Sequence, residues 1–443
     1  MKRWWEFVVI AILMVLPGAL ALAQDTEQPP PPPPHDAQPE MEVPPSVPHM
    51  TSYGVIIPPG FNISVAADAL GMYDTNPVFQ VQPSGDEAQR YSGNVALTYL
   101  SKHTFYQAAY TPSFSYYRKF TSLNSTEQNF SQNLWQEVSP RTGIGWQVDV
   151  RRYPSWGGSS FSGSSFGSLL MELSGLTALN LISEVSTANT GFTLEHKLNR
   201  RSRLRADFSG GVSKYVHSNS NQFLGLLTAP DSSTWAGQMS LAYGYDLSSH
   251  RSLGVAINSS YFVFTAQDYH AVTQSVLLRY SEKLRNGWYY SVAAGPEFRE
   301  EKLSSGAPRP ALSISFNAAH KTRKSAFRAS LERSYQIGQA QGNLTSWDAL
   351  VSAEHSIGRR CFAGVFGSYQ SSELLVSTGQ LGAGKTQTFA PAVEGGVRLS
   401  RHIVWFANYG FSAQKGALTQ QQNIYRQQFV SGLSFNVDSL FLR

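Results

Sequence analysis

The chain of 443 residues has one cysteine, Cys361, so no internal disulfide framework can hold it together. Charged residues are scarce, at 15% of the total, and they form no block of one sign. The ten histidines are scattered without the spacing of a metal site, and no other constellation asks for a cofactor. From Ile57 onward no window approaches the roughly 20 consecutive apolar residues of a spanning helix. No helical period is sustained in the same stretch either. The net charge of +5 is spread over short connectors, which does not indicate nucleic-acid binding. What remains is a chain rich in Tyr and Phe, with alternating polarity and many short polar breaks.

Those breaks carry the architecture. Eight of them recur: Ser101-Lys102-His103, Ser139-Pro140-Arg141, Asn199-Arg200-Arg201, Ser249-His250-Arg251, Leu284-Arg285-Asn286, Thr322-Arg323-Lys324, Gly358-Arg359-Arg360 and Ser400-Arg401-His402. Each is flanked by roughly ten residues of apolar/polar alternation, and longer irregular stretches separate the resulting pairs. Short turns at one end, long loops at the other and strands of about ten residues between them are the pattern of an outer-membrane barrel. The expected fold is all-β, a transmembrane antiparallel up-and-down β-barrel.

The N-terminus reads as a secretory signal over residues 1–23. Lys2 and Arg3 form its charged region, an apolar run follows from Phe7 to Leu16, and Ala21-Leu22-Ala23 is a small-residue cleavage site. Residues 24–56 contain the run Pro29 to Pro34 with few large apolar residues, so they read as a disordered periplasmic arm. The arm could reach a periplasmic partner. The barrel is expected over 57–443.

Period two is the test of a strand, because successive side chains face opposite sides. Leu204, Ala206, Phe208, Gly210 and Val212 share one face, while Arg203, Arg205, Asp207 and Ser209 share the other. Ile144, Trp146, Val148 and Val150 likewise oppose Gly145, Gln147, Asp149 and Arg151. Counting such segments gives about 18 strands, or 16 if the first hairpin, with its long connector from Gly71 to Gln89, is misread. An even count puts both termini at the short-turn end. A soluble sandwich would alternate too, but would bury its apolar face against a second sheet.

Aromatics near strand ends suit two membrane interfaces: Tyr106, Tyr116, Trp146, Trp235, Tyr245, Trp288, Trp347 and Trp405. Pro112, Pro296 and Pro391 fall on outward positions and should mark bulges or broken ladders. The ending, Gly432-Leu433-Ser434-Phe435-Asn436-Val437 followed by Leu440-Phe441-Leu442-Arg443, resembles the C-terminal targeting signal of bacterial outer-membrane proteins. It departs from that signal in Val430, where a polar residue is usual, and in two residues after Phe441. The resemblance implies insertion by the outer-membrane assembly machinery into outer-membrane lipid.

Three features imitate catalytic chemistry. Gly379-Gln380-Leu381-Gly382-Ala383-Gly384-Lys385-Thr386 fits the phosphate-loop pattern, yet Phe389 to Gly396 alternates as a strand where a helix is required. Gly163-Ser164-Ser165-Phe166-Gly167 fits a nucleophile elbow by chance in a Gly/Ser-rich run, with no assignable His or acid partner. His355 faces outward on its strand, as in outer-membrane phospholipases, but no Ser/Asn pair is evident beside it. No enzyme is expected.

If the apolar face meets lipid, the opposite face lines a lumen. The candidate pore-lining residues are Asp149, Arg151, Glu195, Lys197, Arg203, Arg205, Asp207, Arg279, Glu297, Arg299, Arg328, Glu332, Glu354, Glu394 and Arg398, with Asp348 among them. Sixteen to eighteen strands leave room for an aqueous channel unless something fills it. The loop from Pro154 to Glu184, with Leu169-Leu170-Met171-Glu172-Leu173, is expected to fold inward and narrow the passage. General porins place a constriction loop at this ordinal position, so the chain resembles porin-like proteins. That likeness implies passive diffusion of small hydrophilic solutes or ions. A barrel of a polysaccharide export or secretion system, or a closed structural barrel, remains open as the alternative.

Overall fold

A computed structural model describes residues 60–77, 84–154, 183–217, 232–264, 269–284, 286–301, 309–322, 324–338, 342–374, 385–416 and 423–441. The expected signal, the proline-rich arm, the elbow-like motif and nearly all of the Leu-rich loop lie outside these residues.

The strands are β1 (Gly60–Asp74), β2 (Asp86–Leu100), β3 (Thr104–Tyr117), β4 (Ser125–Ser139), β5 (Thr142–Pro154) and β6 (Ser183–Lys197). Next come β7 (Ser202–His217), β8 (Ser232–Ser248), β9 (Arg251–Phe264), β10 (Tyr269–Lys283), β11 (Trp288–Glu301) and β12 (Arg309–Lys321). The last six are β13 (Ser325–Gly338), β14 (Gly342–Ile357), β15 (Cys361–Leu374), β16 (Lys385–Arg398), β17 (Ile403–Gly416) and β18 (Ile424–Phe441). Every strand pairs antiparallel with its sequence neighbours, and β1 also pairs with β18. The 18-stranded sheet therefore closes on itself and leaves no edge. The first hairpin is tighter than the sequence suggests. β1 runs on to Asp74 and β2 starts at Asp86, because both polar ends are held inside the wall.

The basic connectors are short because their polar residues close the turns. Asn199 Oδ1 accepts hydrogen bonds from the Arg201 and Ser202 amides at 2.8 and 2.9 Å. Ser400 Oγ does the same for His402 and Ile403, and Thr322 Oγ1 for Lys324 and Ser325. Such Asx and Ser/Thr turns replace backbone turn bonds, which is why Ser, Thr and Asn recur there. Gly287 and Gly358 supply the positive φ, +86° and +71°, that two of the turns need.

The three prolines break the ladder where expected. Pairing between β2 and β3 skips from Ser92–Ser113 to Val95–Tyr110 around Pro112. The β10–β11 pairing skips from Ser275–Glu297 to Leu278–Ala294 around Pro296, and the β16–β17 pairing from Phe389–Ala413 to Ala392–Gly410 around Pro391. In each case the register resumes unshifted. A proline removes one donor without forcing a slip, since slipping by one residue would turn every side chain to the wrong face.

Following paired residues around the sheet separates two faces. One carries exposed large apolar side chains, among them Tyr91, Phe114, Leu241, Val255, Val365 and Phe429. The eight aromatics expected at the interfaces fall on it too. Strand lengths of 13 to 18 residues exceed the roughly 9–11 that cross a bilayer. A continuous apolar outer wall of this extent is matched to lipid.

Candidate functional site

The inner wall divides into three parts. At the long-connector end, the seam between the first and last strands is clasped by buried polar groups. Arg426 Nε donates to Asp74 Oδ2 at 2.8 Å, and Gln428 Nε2 donates to the same oxygen at 2.8 Å. Asp74 Oδ1 accepts the Asn76 amide at 2.9 Å. Nearby, Arg90 and Glu127 pair at 2.8 Å across the intervening strand, and the Asp86 carboxylate caps the Lys119 and Phe120 amides. Under that cap Leu123 packs on Ala88 and Tyr117.

The second part is apolar. Leu70, Phe366, Ala390, Ala392, Phe406 and Val430 form a buried cluster, with Met72, Leu350 and Phe362 packed against it. All of them project inward from β14–β18 and β1, by the pairing that joins Leu70 to Gly432, Val430 to Asn408 and Phe406 to Gly396. The expected inner-face residues were charged, and this apolar sector lies beside them on the same face. The sequence hides the cluster because Phe362 and Phe366 alternate with Ala363 and Val365, so both faces of β15 look apolar. Val430, unusual in a C-terminal signal, is explained by its place in this cluster.

The third part, from β5 to β14 and at two positions of β16, carries the charges. All the candidate pore-lining residues fall on the inner face. Asp149 and Arg151 are paired at 2.6 Å and are partly open to solvent. Arg205 Nε sits 2.9 Å from Asp207, which also accepts from Thr193 Oγ1. Glu195 stands directly opposite Arg205, and Lys197 opposite Arg203. Glu332 faces Asp348 across β13 and β14. Farther round, Arg328, Glu354, Glu394 and Arg398 occupy inner positions of β13, β14 and β16. Arg279 lies on β10 opposite Ala293. Glu297 and Arg299 form a 2.8 Å ion pair on that face with side chains only 9% exposed. Sequence reasoning missed Asp74, Arg90, Glu127 and Arg426, although the same period-two rule would place them inward.

No catalytic arrangement emerges from the imitating motifs. Lys385 begins a strand, so the helix that a phosphate loop needs is not there, and residues 379–384 lie outside the described part. His355 does meet a hydroxyl, Ser325 Oγ at 2.8 Å, at the short-turn end of the outer face. An acid or amide partner for His355 is not found among the described residues. Thr142 and His196 repeat the same hydroxyl–imidazole pairing at another turn, which marks it as turn chemistry. Among the described residues no group of His, Cys, Asp or Glu could hold a metal ion.

No protein-family model matches the chain, and no curated protein matches it. Solved structures do. The FrpB iron transporter of Neisseria meningitidis (F5-1 variant, apoprotein form) aligns with a TM-score of 0.47 and 9% identity, over 85% of this chain and 81% of that one. The copper transporter OprC gives 0.44 and 9%, over 85% and 81%. The siderophore receptor PirA of Acinetobacter baumannii gives 0.43 and 7%, over 86% and 81%. By its closed sheet and apolar outer wall, the chain is a transmembrane β-barrel of the outer-membrane type.

Proposed function

We propose that the protein is a porin-like channel of the bacterial outer membrane, passing small hydrophilic solutes or ions by diffusion. One observation carries this reading: inward charges of both signs on β5–β8 stay partly open to solvent in a barrel of 18 strands. A closed sheet of that size has room for water between its walls. Charges that served only as braces would be buried, as Glu297 and Arg299 are. Conductance of the purified protein in a planar bilayer tests the proposal.

A closed or partner-gated barrel is the second reading, favoured by the packed apolar cluster on β14–β18 and β1. Side chains fill that sector, which leaves any passage beside the charged wall. A barrel serving an export system would need the proline-rich arm to engage a periplasmic partner.

Topology has its own test in the native thiol. Cys361 is exposed at the short-turn end, which this reading puts in the periplasm. An impermeant maleimide should leave it unlabelled in intact cells and label it after the outer membrane is permeabilised. Labelling in intact cells would invert the topology.

A further inference from the structure

We propose that the lumen wall over β8 and β9 holds a binding site for a small oxyanion, a carboxylate or phosphate group on the passing solute. The inference rests on the channel reading for its purpose, but its geometry stands alone.

The floor of the site is nearly bare. Inward positions of β8 are Ser240, Ala242 and Gly244, and those facing them on β9 are Asn258, Ala256 and Gly254. Gly254 has to be glycine, because a Cβ there would meet the Tyr243 carbonyl oxygen at 2.7 Å. The strands on either side carry long cations. Arg203 pairs with Gly244 and Arg279 with Gly254, so one hydrogen-bonded row reads arginine, glycine, glycine, arginine from β7 to β10. Three strand spacings of about 4.8 Å put these two backbones some 14 Å apart. Arg203 leans over the floor, with its Cγ and Nε both 3.4 Å from where a Gly244 Cβ would stand. Arg205 stands one row away, opposite Ala242, and its charge acts on Arg279.

The charge on this trough is not balanced from within. Asp207 is engaged by Arg205 and Thr193. Asp246 approaches Arg203 Nη2 only to 3.8 Å, and Arg203 Nε is buried with no hydrogen-bond partner among the described residues. Arg279 makes no hydrogen bond or ion pair within the described residues, although Asp207 and Arg205 both act on it. Glu195 and Lys197 flank the site and offset each other. Three guanidiniums, Arg203, Arg205 and Arg279, face two carboxylates here, so like charges repel, Arg205 against Arg279 among them, and each guanidinium presents N–H donors in a planar fork. An oxyanion between them would relieve that repulsion and accept those donors, the geometry in which Arg–carboxylate and Arg–phosphate contacts are strongest. Ala242 and Ala256 beside the two glycines keep the floor low, with Arg203 lying over Gly244.

Titration calorimetry on the detergent-solubilised full-length protein tests the site without requiring conduction. Inorganic phosphate and succinate are the probes, at constant ionic strength in chloride. Saturable binding of at least one is expected, and which one binds tells phosphate from carboxylate preference. Arg279→Gln and Arg203→Gln should each weaken it roughly tenfold, as loss of a charged hydrogen bond does. Arg279→Lys should recover part of the loss. Arg401→Gln, in a distant turn, should change nothing. Retained heat-modifiable mobility on gels shows that each variant is folded. No saturable binding of either anion to the wild-type barrel would overturn the site, as would variants that bind as tightly as wild type. Binding without any conductance would leave the site standing and sink the channel reading instead.

Discussion

Met239→Arg should cost about 2–4 kcal/mol of barrel stability, whereas Gln238→Arg, one residue earlier on the same strand, should cost close to nothing. The two side chains sit mid-strand on β8 and differ only in the face they occupy. Met239 is 44% exposed on the outer wall, opposite Phe208 and Ser259. Gln238 is inside, opposite Ser209 and Ser260. An arginine at the bilayer midplane has to snorkel or draw water into the hydrocarbon. An arginine in the lumen keeps its hydration or finds a hydroxyl. Urea unfolding midpoints of the two variants in phospholipid vesicles would measure the difference, and equal midpoints would mean that inside and outside have been exchanged.

Arg426→Ala should be as damaging, at about 3–5 kcal/mol, because it leaves Asp74 buried and uncompensated. Both partners are almost wholly enclosed, with side chains 2% and 0% exposed. The pair also joins the last strand to the first, so its loss loosens the seam that closes the sheet. The double change Asp74→Asn with Arg426→Gln removes both charges and should recover a substantial part of the loss. The fraction of heat-modifiable, protease-resistant barrel after outer-membrane assembly reads this out. A single variant as stable as wild type would show that the seam is held by the backbone ladder alone.

The wall was legible in the sequence because period two leaves a strong mark when one face meets lipid and the other water. Arg203, Arg205 and Asp207 against Leu204, Ala206 and Phe208 admit one orientation only. The broken ladders at Pro112, Pro296 and Pro391 followed from a missing donor, and the structure has all three. Contrast between faces fails where function and packing diverge from that simple rule. On β15 the lumen side holds Phe362 and Phe366, so alternation there could not tell the inner core from the lipid face. At Asp74 and Asp86 polarity looked like loop, when it was the buried clasp of a longer strand. Glu297 and Arg299 obey the period but pair with each other, which no spacing rule separates from a solvated charge. The oxyanion site was hidden differently. Its arginines were visible, but the row that aligns them with Gly244 and Gly254 depends on register across four strands.

Single-channel recording of the purified, folded protein in a planar bilayer decides whether the lumen conducts. Discrete, ohmic conductance steps in potassium chloride are expected, with weak selectivity because both signs of charge line the open wall. A charged passage with low-dielectric walls focuses field on the ions that enter. Replacing Arg203 and Arg205 together by glutamate should therefore move the reversal potential in a salt gradient toward cation preference. A heat-modifiable barrel that inserts and gives no steps would rule out the channel, and would leave the packed cluster on β14–β18 and β1 as the mark of a closed lumen.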